Sequence, residues 1–204
     1  MQSMTFDRPV LLLGNAPINA ALARWVGDWS GPIVCADGGV RHLPPGRHII
    51  VVGDMDSYQG PASTRLHDPD QDSTDFDKCL ACVRAPELIG VGFLGGRWDH
   101  SLAALSSLAQ ARDPIRLIDH ENSIVLVDGD YQGRHRIGDT LGVIPMQRCQ
   151  FSASHGLAYP LDGVVLELGV WVGSSNRITD AHVSIRGQGR YWLSYASPLK
   201  PDSE

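Results

Sequence analysis

Three apolar runs in the first half of the chain each break off into glycine and acid, and this repetition constrains the fold more than any other feature. Residues 32–36 lead into Asp37-Gly38-Gly39, and residues 48–52 (HIIVV) lead into Gly53-Asp54-Met55-Asp56. Residues 88–94 (LIGVGFL) lead into Gly95-Gly96-Arg97-Trp98-Asp99-His100. Near-continuous apolar strands belong to sheets covered on both faces. Between the runs lie helical stripes, one from Pro17 through Ile18, Leu22, Val26 and Trp29. The other is capped by Asp99 and turns Leu102, Leu105, Leu108 and Ala109 inward. With shorter runs at 10–13 and 115–118, the pattern predicts an α/β N-terminal domain, residues 1–120, built on a mostly parallel doubly wound sheet. Such sheets bind ligands beyond the carboxyl ends of their strands, where the glycines and acids fall.

After Glu121 the texture changes. Segments 124–127, 141–144, 164–168, 182–185 and 191–195 are short and β-rich. Turn signals such as Asp128-Gly129-Asp130 and Asp162-Gly163 separate them. No helical stripe intervenes. The expectation is an all-β antiparallel sandwich over residues 121–204, of a size that gains stability from a neighbour or a second copy.

The densest chemistry lies in DPDQDSTDFDK, where Asp68, Asp70, Asp72, Asp75 and Asp77 crowd together ahead of a helix predicted over 76–84. Thr74 and Asp77 have capping-box spacing. Like charges this close need solvent or a cation to screen them, while a helix N-terminus favours an anionic ligand. Asp54 and Asp56, two apart at the end of a strand, point the same way if the strand alternation continues. Asp54, Asp56 and Asp75 are therefore the candidate ligands of Mg²⁺, which would bridge phosphate oxygens. Arg97 offers a two-pronged clamp for phosphate and Lys78 a second cation. Asp72 is the candidate proton acceptor.

A net charge of −6 and the lack of a basic run argue against nucleic-acid binding. No segment is apolar for long enough to span a bilayer and the N-terminus has no signal-peptide pattern, so the expected location is cytoplasmic. Cys79 and Cys82 fall inside the predicted helix with no second pair at zinc-ribbon spacing. Together with Cys35 and Cys149 they read as buried structural thiols. A calcium-loop reading of DPDQDSTDFDKC fails, because Ser73 replaces the glycine and Cys79 the glutamate that such a loop needs. IIVVGDMDS also has the look of a haloacid-dehalogenase-type phosphatase motif, although two strands precede it. A small-molecule sensor that binds a nucleotide without turnover is the non-enzymatic alternative.

With ADGG, GDMDS, PDQDSTDFDKCL, GGRWDH and a late Ser174-Ser175-Asn176 in this order, the chain resembles the thiamine pyrophosphokinase family over nearly its whole length. The resemblance implies Mg²⁺-dependent transfer of pyrophosphate from ATP to the thiamine hydroxyl, giving thiamine diphosphate and AMP, in a homodimer. It matches Asp54, Asp56 and Asp75 to metal-associated acids, Gln71 and Asp72 to residues near the reacting groups, and Arg97 and Asp99 to the nucleotide-side motif, with Asp37, Gln71, Thr74, Lys78 and His100 as further nucleotide-side candidates. On the thiamine side it points to Ser175, Asn176 and Trp192, with Gly156, Leu157 and Tyr159 fitting the pattern nearby. The chain departs from the family pattern at Ala104, where asparagine is common, and at Val40-Arg41, where alanine-asparagine is usual.

Overall fold

The computed structural model describes residues 3–44, 46–56 and 62–197. It divides into two compact units, one running to Glu121 and one beginning at Asn122. Among the described residues no helix is long and apolar enough to cross a membrane.

In the first unit a two-residue strand β1 (Met4–Thr5) pairs in parallel with β6 (Val83–Arg84). The main elements are β2 (Val10–Leu13), α1 (Ala20–Asp28), β3 (Ile33–Ala36), β4 (Ile50–Gly53), β5 (Thr64–His67), α2 (Asp75–Cys82), β7 (Leu88–Val91), α3 (Trp98–Ser107) and β8 (Ile115–Ile118). Six strands lie in the order β8-β7-β2-β3-β4-β5, and every pairing between them is parallel. The chain steps outward from β2 to β5 and then returns to the other side of β2 with β7. The order therefore reverses between β2 and β7, and a crevice opens outside such a point. The apolar runs are the buried strands: Val10 to Leu13, Val34, Cys35, Val51 and Val52 have no exposure. Fully burying one such side chain stabilises the fold by about 1.5–3 kcal/mol.

Several boundaries differ from the sequence pattern for identifiable reasons. β7 stops at Val91 because Gly92 turns to φ +76°. α1 begins at Ala20, not at Pro17, since Asn19 caps it through a 2.9 Å bond from the Leu22 N–H. Asp99 does not cap α3; Arg97 holds the N-cap position without a side-chain bond, and Asp99 pairs with it instead. Leu102 faces solvent rather than the core. The edge strand β5 (TRLH) has no apolar signature because it is largely exposed. All four cysteines are free and buried, as the apolar reading of them anticipated.

The second unit contains β9 (Asn122–Asp128), β10 (Tyr131–Arg134), β11 (Thr140–Pro145), β12 (Cys149–His155), β13 (Val165–Leu166), β14 (Gly173–Arg177), β15 (His182–Gln188) and β16 (Arg190–Ala196). They form two antiparallel sets, β14-β11-β16-β9 and β10-β15-β12-β13. Leu141, Val143, Tyr191 and Leu193 of the first set share one core with Phe151, Val183 and Ile185 of the second. Phe151 meets Tyr191 edge to face at 5.3 Å between ring centroids. Such a contact adds about 0.5–1.5 kcal/mol to burial alone.

Candidate active site

Where β2 and β7 part, backbone meets backbone. The Gly14 N–H donates to the Val91 carbonyl at 2.8 Å, and the Ala16 N–H donates to the Gly92 carbonyl at 2.7 Å. A Cβ on Gly92 would lie 2.5 Å from the Gly14 carbonyl oxygen, so both positions need glycine. Behind them Phe76 of α2 stacks on Phe93 with centroids 4.2 Å apart, which fixes the start of α2 against the β7 loop. A cleft of about 930 Å³ opens here, large enough for a nucleotide.

At this cleft the fold gathers three carboxylates, with Asp54 and Asp75 in its lining and Asp37 buried behind them. Ala36 of β3 pairs with Val52 of β4, so Asp37 and Asp54 leave adjacent strands side by side. Asp75 comes from the first turn of α2. One carboxylate oxygen from each of Asp37, Asp54 and Asp75 lies within 4.8 Å of the other two. Asp37 is fully buried and adopts φ +34°, a left-handed conformation rare outside glycine and asparagine. Gly53 makes the approach possible, because a Cβ there would sit 2.7 Å from Asp75 Oδ1 and 2.9 Å from Asp37 Cβ.

Two unit charges at that separation repel by roughly 3.5 kcal/mol at an effective dielectric of about 20. Lys78, itself only 3% exposed, offsets part of this with Nζ 3.4 Å from Asp75 Oδ1. Burial nevertheless raises the Asp75 pKa above the ordinary carboxylate value, with Asp54 and Asp56 adding to the rise. Asp54 moves the other way. The Gln71 amide donates to its Oδ2 at 3.0 Å and the Asp56 N–H to its Oδ1 at 3.2 Å, and both stabilise the anion. Three hard oxygen donors facing one ammonium leave an excess of negative charge, a donor set that suits a hard divalent cation.

Asp56 is outside this triad. The strand ends at Gly53 and Met55 takes φ +64°, so the alternation that would aim Asp54 and Asp56 together is broken. Asp56 is exposed but still lines the cleft, as do Gln71, Thr74, Lys78, Arg97 and His100. Asp72 and Asp99 are not part of that lining. Thr74 caps α2 reciprocally with Asp77, as its spacing predicts. Arg97 is held by Asp99 through Nε to Oδ1 at 3.1 Å and Nη2 to Oδ2 at 2.5 Å, which draws the Asp99 pKa down to about 2. Nη1 is not part of that fork. Ala104 is buried on α3 and lines the cleft where a longer side chain would narrow it.

In the second unit Ser175 is exposed at φ +60°. Asn176 is buried and its amide is engaged by backbone. Oδ1 accepts from the N–H groups of Tyr159 (3.0 Å) and Arg177 (2.9 Å), and Nδ2 donates to the Tyr159 carbonyl at 2.7 Å. It shapes the loop that displays Tyr159, whose side chain is 69% exposed. Trp192 is half-buried on β16, between Leu126 and Ile144. The glycine pair at 14 and 92, and Gly53, went unread because only strand pairing reveals their neighbours.

Comparison with known proteins bears on both units. A family model described as the thiamin pyrophosphokinase catalytic domain matches residues 25–119, and one described as the thiamin pyrophosphokinase vitamin B1 binding domain matches residues 130–188. Thiamin pyrophosphokinase 1 of Caenorhabditis elegans is 30% identical over 179 residues, covering 75% of this chain and 74% of that protein. Thiamine pyrophosphokinase 1 of Arabidopsis thaliana is 26% identical over 196 residues, covering 74% and 73%. Among solved structures, the thiamin pyrophosphokinase of Candida albicans superposes with a TM-score of 0.79 at 18% identity, over 93% of this chain and 89% of that one. A protein from Lactobacillus plantarum gives 0.74 at 25% identity, over 93% and 99%.

Proposed function

This chain belongs to the thiamin pyrophosphokinase family, and from that premise we propose how its residues carry out the transfer. It is an enzyme, a diphosphotransferase. The proposed reaction joins the thiamine hydroxyl oxygen to the β-phosphorus of ATP and breaks the bond from that phosphorus to the bridging oxygen of AMP. Thiamine diphosphate and AMP result. The observation that carries this reading is the triad of Asp37, Asp54 and Asp75, gathered at the carboxyl ends of parallel strands beside the start of α2.

Mg²⁺ is the proposed metal, held by Asp54 and Asp75 with Asp37 as third ligand and Asp56 at the edge of the cleft. When bound it supplies positive charge to phosphate oxygens. The chain's own groups do the rest. Arg97, oriented by Asp99, presents its remaining edge to a phosphate, and Lys78 offsets charge from within the fold. The α2 N-terminus adds its dipole, with Gln71, Thr74 and His100 lining the nucleotide's path. Attack of an alcohol on a phosphoanhydride needs alignment and charge neutralisation more than covalent help. The hydroxyl proton passes to a carboxylate of the 68–75 loop, Asp72 in our reading.

For the acceptor we propose the second unit, with Ser175 as a hydrogen-bonding group and Trp192 as a face for the cationic ring. Asn176 serves there by holding the Tyr159 loop. We read the first unit as a doubly wound α/β domain, residues 1–120, and the second as a β-sandwich, residues 121–204, that pairs into a homodimer in the cytoplasm. Activity per chain then falls on dilution below the dimer's dissociation constant.

One assay tests the reaction: purified protein, ATP, Mg²⁺ and thiamine, with the nucleotides separated. AMP formed in step with thiamine diphosphate is the expected result. ADP would mean transfer of a single phosphoryl group, and phosphate released without thiamine would mean a phosphatase. Ligand binding without turnover would mean a sensor.

A further inference from the structure

The 3₁₀ turn Asp37–His42 is anchored to the cleft at both ends. Its first residue is the buried acid of the triad. At its other end two side chains reach back across 26 positions to successive carbonyls of the loop after β2. Arg41 Nη2 donates to the Asn15 carbonyl, and His42 Nε2 donates to the Ala16 carbonyl at 2.9 Å. Asn15, Ala16 and Pro17 form one wall of the cleft, whereas neither Arg41 nor His42 is part of its lining.

The contacts around this wall are tight. On its β7 side the Ala16 N–H is bonded to the Gly92 carbonyl, and on the other side the Asn15 and Ala16 carbonyls face the turn. A Cβ on Gly38 would lie 2.5 Å from Asn15 Nδ2, and one on Gly39 would strike the Leu13 carbonyl. The two loops therefore sit backbone to backbone, with Asn15 laid over Gly38. Beyond Ala16, a Cβ on Gly96 would come 2.9 Å from Pro17 Cδ, so the wall also abuts the loop that carries Arg97. Movement of residues 15–17 has consequences on both sides, toward the triad and toward the guanidinium.

We propose that Arg41 and His42 are positioning residues that hold the Asn15–Ala16–Pro17 wall at a fixed distance from the acid triad and so set affinity for the nucleotide. The proposal rests on reading this cleft as the ATP site. Donation to Ala16 requires the proton on Nε2 of His42. Partial burial favours the neutral ring, against the pull of the Ala16 bond, and the Arg41 guanidinium beside it adds to the effect of burial. Neither residue reaches the reacting atoms, so the effect of losing them falls on binding more than on the chemical step.

The test uses Arg41→Ala, His42→Ala and the double variant in the full chain. Equilibrium affinity is measured for an ATP analogue with a methylene bridge between the α- and β-phosphorus, alongside Michaelis constants for ATP and thiamine and the thermal midpoint. Each single variant is expected to weaken the analogue by about three- to tenfold and the double variant by about thirtyfold, the size expected for one and two lost hydrogen bonds from charged or buried groups. The thiamine constant should move less than about twofold and kcat less than about threefold. His42→Gln, whose amide donates from nearly the same place, should restore affinity to within about twofold of the parent. A double variant that binds the analogue as tightly as the parent overturns the proposal. So does a parallel fall in analogue affinity, thiamine affinity and thermal midpoint, which would make the pair merely structural. If the alanine variants do not fold, Arg41→Met and His42→Leu, which keep bulk but cannot donate, give the same comparison. A parent that makes no AMP, yet loses analogue binding on substitution, keeps the clamp and sinks the reaction. A parent that makes AMP, with an unaffected double variant, does the reverse.

Discussion

Two groups of acids meet near the start of α2 and are held in opposite ways. Asp68, Asp70 and Asp72 are neighbours in sequence, the first half-buried and the other two exposed. Asp68 accepts the Asp70 N–H and Asp70 accepts the Asp72 N–H, each at 3.1 Å, and Ser73 donates its hydroxyl to Asp70. The carboxylates of Asp68 and Asp70 are engaged by the loop itself, and these bonds lower the Asp70 pKa. Asp37, Asp54 and Asp75 are far apart in sequence and forced together by strand pairing, and burial raises the Asp75 pKa. Asp68 and Asp70 fold a loop, whereas the triad crowds Asp75, its pKa raised by burial, against Asp54, whose anion is stabilised by Gln71 and the Asp56 N–H. Acid density along a chain is therefore a poor guide to acid function.

The sharpest way to break this comparison is to remove charge from the triad while keeping shape. Asp75→Asn and Asp37→Asn should each reduce turnover by about a hundredfold or more, since phosphate charge then develops opposite a weakened cation site. Asparagine tolerates the φ of +34° at position 37, so circular dichroism and the thermal midpoint should stay near those of the parent. Turnover within tenfold of the parent at saturating Mg²⁺ would take that residue out of the metal site. Asp56→Asn, outside the triad, should cost less than either.

Gly53→Ala tests whether the triad depends on the missing Cβ. The new methyl would press on both Asp75 and Asp37, and φ of +154° disfavours any side chain. Turnover should fall by about tenfold or more, with about 1–3 kcal/mol lost in denaturant unfolding. A fully active, fully stable variant would mean the acids have slack to rearrange.

Arg97→Lys comes next. Its charge survives but the fork to Asp99 does not, and a point ammonium cannot serve two partners in one plane. A rise of roughly tenfold in the Michaelis constant for ATP is expected, with a smaller change in kcat. An unchanged constant would reduce Arg97 to a turn residue.

These same residues show what could be read from the sequence. Asp54, Asp75 and the Thr74–Asp77 capping box were legible because each is set by its immediate neighbours. The expectation for Asp37 on the nucleotide side did not bring it beside Asp54 and Asp75, because Asp37-Gly38-Gly39 alone is equally a turn. The pairing of Ala36 with Val52 brings it in, and register between strands is not a local property. Asp56 does not join Asp54 in the cluster, because period-2 alternation does not extend past a strand that ends at Gly53. In the second unit β10, β12 and β14 (YQGR, CQFSASH and GSSNR) were missed, being too polar to look like strands on their own. They exist because their neighbours pair with them.

The smallest expected effect is the other half of the comparison. Asp70→Asn removes a charge from the densest acidic stretch, at a residue that lines the cleft. If acid density were what mattered, this variant would be as damaging as Asp75→Asn. Asp70 instead spends Oδ1 on the Asp72 N–H and Oδ2 on the Ser73 hydroxyl, and an asparagine amide oxygen still accepts one of these. The loop then keeps part of its internal bonding and the triad keeps all its charge. Turnover should stay within about threefold of the parent, and the thermal midpoint close to the parent's, as for loss of one exposed hydrogen bond. The measurement is steady-state turnover of Asp70→Asn beside Asp72→Asn across pH. A loss of about a hundredfold at position 70 and none at 72 would move the proton acceptor to Asp70 and show that a carboxylate bonded to its own loop can still do chemistry.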